Sequence, residues 1–328
     1  MNKKPVKLTS KEGLEIIPTS PFHFDSTFFK PAHFPSSDTK WESGKRWQTI
    51  LWKNTQLGLI FRNAGTSVKP RVKVDIFSAK KLMPEFLEEL KQEFIWRYNL
   101  NLDLKHFYDA VKSEPALKDV IGRFHGLRPM HPGSLYEYLI IAIVLQNAPV
   151  RRSVHMMQTL FERYGTLLEF NGQQFWCFWK PKVLAEADEQ ELRNLKMGYR
   201  AKSLIKVSIP FANGELEDLR LRTKSHEGQE KILLSLYGIG PASIGYIMFD
   251  VFHHWDYLKH ISPWEQKIYT KIFFNKDYEK DLVPVNKMLK YFDRWGKWKN
   301  LAIHYLWEDI WWKRKNEHIP WLEKLVRL

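Results

Sequence analysis

The stretch from Leu234 to Thr270 holds a tight glycine turn followed by an acidic residue, and both could do chemistry. Gly238 and Gly240 lie two residues apart, and glycine lets the backbone turn tightly because it has no Cβ. Such a turn brings backbone N–H groups close to an anion, and Pro241 is suited to the first turn of a helix. The pattern predicts a backbone clamp for a phosphate that needs no cationic side chain.

Glu265 lies about twenty residues beyond this turn, directly after Pro263 and Trp264 at the expected start of another helix. The residues alone support two interpretations. A carboxylate near a helix N-terminus is stabilised by the helix dipole. A fixed carboxylate in a site that excludes water also stabilises a positive charge more strongly than it would in bulk solvent.

Together these features resemble the helix-hairpin-helix (HhH-GPD) DNA glycosylases of base excision repair, including the 8-oxoguanine and 3-methyladenine enzymes. That superfamily combines an L-P-G-[IV]-G hairpin with a later Pro-x-Asp. In this sequence Tyr237 replaces the hairpin proline, and Glu265 replaces the aspartate. Two further segments are similar to the family. Met197 to Ala201 resembles the [LM]-G-[YF]-R-A segment of 8-oxoguanine glycosylases, and Trp295 to Trp307 resembles the end of alkylpurine glycosylases.

The resemblance implies removal of a damaged purine, whether alkylated, oxidised or deaminated, by hydrolysis of its N-glycosidic bond. Such a reaction passes through a positively charged sugar and requires the nucleotide to be flipped out of the duplex. Glu265 would be the catalytic residue, stabilising the sugar cation and activating water. Its extra methylene leaves two outcomes open. Either the side chain bends to reach the same point, or it overshoots and catalysis falls.

The resemblance also implies which residues meet DNA. Gln146 and Asn147 would fill the gap left by the flipped base, or would only cap the end of a helix. Tyr246 and Trp307 would form walls of the base pocket, or would be core aromatics. The remaining predicted DNA contacts are Arg200, Lys202, Gly238, Gly240, Ser243 and Lys267. For the basic side chains among these, a solvated surface is the alternative.

Bifunctional members of the family carry a lysine just after the hairpin, where this chain has Ala242, so we expect a monofunctional enzyme without lyase activity. The family also holds sodium or potassium with backbone carbonyls, which here would belong to Leu234, Leu236 and Ile239. We expect no other cofactor. Cys177 is the only cysteine, which excludes an internal disulfide and a four-cysteine iron–sulfur cluster.

The composition suits a polyanionic partner. The chain has 328 residues, a formal net charge of +14 and abundant aromatic side chains. Basic and aromatic residues together favour nucleic acid, although a basic enzyme without a nucleic-acid partner fits the charge equally well. The basic N-terminus is not followed by an apolar segment of a secretory signal, and the apolar runs are too short to cross a bilayer.

We therefore expect a monomer without membrane association that acts on duplex DNA containing a damaged base. It would be found in the cytoplasm and nucleoid, or in the nucleus of a eukaryote.

The predicted fold class is α+β, a mostly helical HhH-GPD glycosylase fold with an N-terminal antiparallel sheet. Alternation of apolar and aromatic residues predicts strands at 46–52, 57–61 and 68–76, within a β-rich domain of residues 1–97. Residues 98–328 would form the helical region. In it, residues 134–146 would form a central buried helix, residues 234–245 the hairpin, and residues 263–267 the start of the catalytic helix.

Two other functions remain open at this stage. The chain could be a catalytically degenerate HhH-GPD protein that binds damaged or distorted DNA without releasing a base. It could also be a basic helical protein with no role on DNA. An assay of base release distinguishes a glycosylase from both of these alternatives. Salt-sensitive DNA affinity distinguishes the non-catalytic DNA binder from the protein with no role on DNA.

Overall fold

The N-terminal part of the chain forms a five-stranded antiparallel sheet, whose strands follow one another across the sheet in the order Ser10–Ile16, Val72–Ser78, Thr55–Asn63, Lys45–Trp52 and Thr39–Glu42. The computed structural model describes residues 3–29 and 35–326. Its strands are β1 (Val6–Lys7), β2 (Ser10–Ile16), β3 (Thr39–Glu42), β4 (Lys45–Trp52), β5 (Thr55–Asn63), β6 (Val72–Ser78), β7 (Thr166–Phe170) and β8 (Gln173–Cys177).

The three strands predicted from alternation are present as β4, β5 and β6. The apolar positions Val72, Val74 and Ile76 of β6 are buried on one face, where they belong to the sheet's main core. A tight turn at residues 53 and 54 joins β4 to β5. Lys53 and Asn54 both have positive φ, as the two-residue turns of β-hairpins favour, and the chain is already extended at residue 55.

A second, three-stranded sheet of β1, β7 and β8 was not predicted. The hairpin β7–β8 interrupts the helical region, and the Asn171-Gly172 turn was the sequence signal for it. Phe170 of this hairpin packs on β5 at Gly58, where a Cβ would lie 2.4 Å from the phenyl ring. The hairpin therefore braces the helical part of the molecule against the large sheet.

Helices make up most of the remaining chain. They are α1 (Phe24–Phe28), α2 (Pro84–Arg97), α3 (Lys105–Val111), α4 (Pro115–Arg123), α5 (Leu135–Leu145), α6 (Val150–Tyr164), α7 (Pro181–Ala185), α8 (Glu189–Asn194), α9 (Arg200–Ala212), α10 (Asp218–Arg222), α11 (His226–Ser235), α12 (Pro241–Asp250), α13 (Pro263–Phe274), α14 (Val285–Phe292), α15 (Lys299–Asn316) and α16 (Pro320–Leu325). A 3-10 segment (Asp293–Trp298) joins α14 to α15. The predicted α+β class is confirmed.

The predicted central helix is confirmed as α5. All its residues from Leu135 to Val144 are buried, and Ser134 begins the helix in a reciprocal capping box with Glu137. Side chains of α5, α9 and α12 form one helical core, and side chains of α4, α13 and α15 form another. The hairpin and Glu265 lie at the ends of elements that both cores hold in place. In the described part of the chain, no helix is long and apolar enough to cross a membrane.

Candidate active site

The glycine turn joins α11 to α12, and its conformation requires glycine at Gly238. The φ of this residue is +82°, and a Cβ there would lie 2.6 Å from Ser203 Oγ. Gly240 is the N-cap of α12, whose first residue is Pro241. Within the described residues, the N–H groups of Gly238, Gly240 and Ala242 have no backbone acceptor. The turn therefore presents three backbone donors at the start of a helix, as an anion clamp requires.

The loop between α5 and α6 is tied to this turn. Gln146 Nε2 donates to the Gly238 carbonyl oxygen at 2.6 Å. Asn147 is exposed with φ +47°, and its Nδ2 donates to Tyr199 Oη at 3.3 Å. The two predicted gap-filling residues thus lie beside the predicted phosphate clamp.

Arg200 is placed differently from the sequence-based expectation. Only 2% of this residue is exposed, and its guanidinium donates to the Gln146 carbonyl oxygen from below the loop. Ser243 is also buried, and its side chain hydrogen bonds with Tyr246 within α12. These positions favour structural roles, in which Arg200 holds the loop and Ser243 stabilises α12. Direct contact with a phosphate stays a prediction for both residues.

Two exposed lysines of α9 flank the turn. Lys202 and Lys206 of α9 lie over the Tyr237 ring, with Nζ 5.6 Å and 4.5 Å from its centroid. Lys267 is exposed on α13. Sequence reasoning missed Lys206 and the part played by Tyr237, although the spacing of Lys202 and Lys206 on one helix was a signal for the pair.

A cavity of about 840 Å³ opens beside the hairpin, between α12, the start of α13 and α15. Ala242 and Tyr246 line it from α12, and Trp307 lines it from α15. Glu265 and Trp264 line it from α13. The structure thus brings the predicted catalytic acid and both predicted wall residues to one cavity.

The Glu265 carboxylate lines this cavity and also caps its own helix. Its Oε2 accepts hydrogen bonds from Ser262 N at 2.8 Å and from Ser262 Oγ at 2.6 Å. Its Oε1 accepts one long hydrogen bond of 3.5 Å from Tyr269 Oη. The interpretation of Glu265 as a carboxylate at a helix N-terminus therefore agrees with the structure, and its catalytic role stays a prediction. The capping box fixes the carboxylate, while Oε1 is held by only one long bond among the described residues.

Two tryptophans form an aromatic wall next to Glu265. The rings of Trp264 and Trp307 have centroids 4.9 Å apart and an interplanar angle of 52°. Trp307 Nε1 donates to Tyr269 Oη at 2.8 Å, so Tyr269 links this wall to the carboxylate. Burial and the neighbouring Glu265 raise the pKa of Tyr269 well above its usual value. Tyr269 is therefore a neutral phenol, and its O–H donates the long hydrogen bond to Glu265 Oε1.

Further acidic groups line the same cavity. Asp250 ends α12, and Glu308 follows Trp307 on α15 with only 7% of its surface exposed. Nε2 of His304, one helical turn earlier on α15, lies 3.7 Å from Oε1 of Glu308. Sequence reasoning missed Trp264, His304 and Glu308, although residues 304, 307 and 308 have the spacing of one helix face. Asp256, in the loop that follows α12, lies beside His226 and His254.

A lysine does reach the edge of this cavity, although Ala242 occupies the position of the family's lyase lysine. Lys259 lies in the loop before α13, and its ammonium is held by both carboxylate oxygens of Glu230, at 2.8 Å and 2.7 Å. An ion-paired ammonium is a poor nucleophile, because Schiff-base chemistry requires the neutral amine.

The sequence matches the HhH-GPD superfamily of base excision DNA repair proteins over residues 140–314, which is more than half of the chain. The protein belongs to this family. It is 27% identical to the DNA-3-methyladenine glycosylase of Bacillus subtilis (strain 168) over 193 residues, which cover 55% of this chain and 64% of that relative. The chain spans between 44% and 64% of the length of the curated relatives that it matches.

Solved structures share the fold at low identity. The 3-methyladenine DNA-glycosylase from Archaeoglobus fulgidus superposes with a TM-score of 0.72 at 16% identity, over 93% of this chain and 100% of that one. The Clostridium acetobutylicum 8-oxoguanine glycosylase/lyase, in complex with duplex DNA containing cytosine opposite 8-oxoG, superposes with a TM-score of 0.66 at 19% identity. That match covers 94% of this chain and 99% of the other. Both similarities confirm the HhH-GPD fold predicted from the sequence.

Proposed function

We propose that this protein is a DNA glycosylase that removes alkylated purines from duplex DNA by hydrolysis. The observation that carries the proposal is the placement of a fixed carboxylate, Glu265, against the tryptophan pair Trp264 and Trp307 in one cavity. A purine alkylated on its ring is electron-poor or cationic. Aromatic faces attract such a ring more strongly than an ordinary base.

The acidic groups of the cavity support the same substrate class. The carboxyl groups of Asp250 and Glu308 line the space together with Glu265. Carboxylates stabilise a cationic base, whereas a neutral oxidised purine would need donors and acceptors matched to its own edge. The combination of aromatic walls and carboxyl groups therefore favours alkylated over oxidised purines.

In the proposed reaction the flipped nucleotide places its base between the aromatic walls and its sugar over Glu265. As the N-glycosidic bond breaks, positive charge develops on the sugar, and the Glu265 carboxylate stabilises it. Oε2 stays fixed by Ser262, so Oε1 is the atom available to orient a water molecule for attack on the sugar carbon and to accept the proton that the water loses. The departing purine leaves with the bonding electron pair, and its ring charge makes it a better leaving group.

The hairpin would hold the DNA backbone next to this cavity. The N–H groups of Gly238 and Gly240 would bind a phosphate, and Lys202 and Lys267 would add positive charge beside it. Gln146 and Asn147 would enter the gap in the duplex. Arg200 would act as a positioning residue, because it supports the loop through the Gln146 carbonyl.

A monovalent cation would also fit the hairpin. The carbonyl oxygens of Leu234 and Ile239 accept no backbone N–H within the described residues, and that of Leu236 accepts only the Ile239 N–H, at 3.1 Å. Carbonyl oxygens are suitable ligands for a hard cation such as Na⁺ or K⁺. Bound there, the ion would add positive charge between the turn and the phosphate.

One observation favours a second candidate function, the binding of damaged DNA without catalysis. The Glu265 carboxylate is folded back onto Ser262, and a carboxylate held by its own helix is less available to a sugar. In that case the cavity would still accept a flipped base, and the hairpin would still hold the backbone.

A glycosylase assay on a panel of duplexes tests the proposal and separates the candidates. Matched oligonucleotides would carry 7-methylguanine, 3-methyladenine, hypoxanthine, 8-oxoguanine or no lesion. We expect release of the methylated purines and little release of 8-oxoguanine. Release of 8-oxoguanine alone would overturn the substrate class. Lesion-dependent binding without release of any base would establish the binder instead.

A further inference from the structure

Three side chains of types that can bind a metal ion lie close together beside the helix-hairpin-helix unit. His226 begins α11, and His254 and Asp256 lie in the loop that follows α12. One ligand atom from each of the three lies within 4.8 Å of the others. The two imidazole rings are stacked, with centroids 4.2 Å apart and an interplanar angle of 17°. The three residues thus join the two ends of the helix-hairpin-helix unit.

The neighbouring Gln229 determines which nitrogen of His254 carries the proton. Gln229 is 3% exposed, and its Nε2 donates to the Leu221 carbonyl oxygen at 3.1 Å. Its Oε1 therefore faces His254 Nε2, 2.5 Å away, and can only accept a hydrogen bond. Nε2 of His254 must hold the proton, so Nδ1 keeps its lone pair. Metal-bound histidines usually have such an acceptor on the ring nitrogen that does not bind the metal.

His226 supplies a second nitrogen without a partner. Its Nε2 is buried and has no hydrogen-bond partner within the described residues. Buried polar atoms are normally satisfied, so this ring nitrogen is available to a ligand.

We propose that His226, His254 and Asp256 form a binding site for a divalent transition-metal cation of the zinc type. Two imidazoles and one carboxylate suit such a cation, with a fourth position left for water. Asp256 is exposed, which gives the ion a path from solvent. Ligand atoms in a tetrahedral zinc site lie about 3.3 Å apart. Because the three ligand atoms lie within 4.8 Å of one another, the side chains would close by at most about 1.5 Å on binding.

The site would hold α11 to the loop that leads to the catalytic cavity. Glu230 already joins the same two elements, accepting hydrogen bonds from Tyr257 Oη at 2.7 Å and from Lys259 Nζ. Tyr257 and Lys259 line the cavity. A bound ion would add a second link and hold both sides of the hairpin together. Its role would be structural, and it is independent of the proposed base release.

Metal binding by the full-length, tag-free protein tests this inference. Co²⁺ and Zn²⁺ would be added in separate titrations, with Co²⁺ followed by its visible absorption and Zn²⁺ by calorimetry. We expect one equivalent of each, and a thermal midpoint that rises by about 3 °C or more with saturating Zn²⁺. His226→Gln and Asp256→Asn should each weaken binding at least tenfold. His155→Gln, at an exposed histidine of α6, should bind as the wild type does.

The inference is overturned if the wild type binds no stoichiometric metal, or if it binds without any rise in thermal midpoint. It is also overturned if both His226→Gln and Asp256→Asn bind Zn²⁺ as tightly as the His155→Gln control. Because wild-type binding is measured directly, a variant that fails to fold does not remove the test.

Discussion

At the scale of single residues, the central feature is the aromatic wall that Trp307 forms with Trp264 beside Glu265. Trp307 is only partly buried, so it is available to a ligand as well as to the core. Its indole nitrogen is fixed by Tyr269, which sets the ring plane before any base enters. A fixed ring loses little freedom on binding, and its stacking energy is therefore available to the base.

Trp307→Ala should lower kcat/KM for a methylated purine about 10- to 100-fold, because a stacked base loses about 1–3 kcal/mol with its aromatic partner. Affinity for an undamaged duplex should not change, since the hairpin is untouched. Single-turnover base release and duplex binding measure the two effects. Trp312→Ala, on the same helix outside the cavity lining, is the control. Equal losses in the two variants would contradict the assignment of Trp307 as a base-pocket wall.

The absence of lyase activity is a second residue-scale prediction. Ala242 offers no amine, and the Lys259 ammonium is paired with Glu230. Borohydride should therefore trap no covalent protein–DNA complex, and the strand should stay intact after base release until alkali is added. If a trapped complex forms with the wild type and disappears in Lys259→Ala, Lys259 is a Schiff-base lysine and the hydrolytic mechanism is wrong.

At the scale of elements, the hairpin depends on the backbone conformation of Gly238 and on its fit against α9. The left-handed φ and the close approach of Ser203 both oppose any side chain at this position. The same residue also accepts the hydrogen bond from Gln146, so distortion of the turn would displace the loop between α5 and α6 as well.

Gly238→Ala should lower the free energy of unfolding by about 1–3 kcal/mol and weaken DNA binding at least tenfold. Gly122→Ala is the matched control, because Gly122 lies within α4 with nothing within 4 Å of an added Cβ. That change should stabilise the protein by about 0.5–1 kcal/mol. Chemical denaturation and a duplex binding assay are the measurements. A Gly238→Ala protein with full stability and affinity would argue against a strained phosphate clamp.

Helices and strands were predicted well where the apolar pattern of the element itself determines which of its side chains are buried. The apolar run of α5 and the alternation of β6 required no knowledge of distant partners. The sheet of β1, β7 and β8 was missed because β1 has only two residues and pairs with a strand about 160 positions away. The burial of Arg200 was missed for a similar reason, since its acceptor is a carbonyl on another loop.

At the cavity, too, the features set by local patterns were predicted and the contacts between distant residues were not. Glu265, Tyr246 and Trp307 were predicted as site residues from the sequence, and all three line the same cavity. The hydrogen bonds between Ser262 and Glu265 follow a local pattern, because a serine three residues before a glutamate at a helix start is the sequence pattern of a capping box. The link from Trp307 through Tyr269 to Glu265 joins two helices, and no local pattern could have indicated it.

At the scale of the whole molecule, the net charge of +14 should act as a long-range attraction for DNA. Exposed lysines beside the hairpin add charge where a duplex would bind. This attraction is independent of sequence and lesion, so it should bring the protein to any duplex before a damaged base is tested in the cavity.

Duplex affinity should therefore fall steeply with salt, as a straight line in a plot of log K against log salt concentration. Lys202→Ala and Lys267→Ala should each reduce the slope by about 1 without changing lesion preference. Lys69→Ala, at an exposed turn of the N-terminal sheet, should leave the slope unchanged. Slopes that do not differ among the three variants would exclude the hairpin face as the DNA-binding surface.

The measurement that most directly tests the role of Glu265 is single-turnover release of 7-methylguanine by the wild type and by Glu265→Gln. Glutamine retains the capping box with Ser262, so the substitution removes the negative charge and leaves the helix start intact. We predict release by the wild type and a loss of about 100-fold or more in the variant, with duplex affinity preserved. Equal rates of release in the two proteins would contradict a catalytic role for this carboxylate.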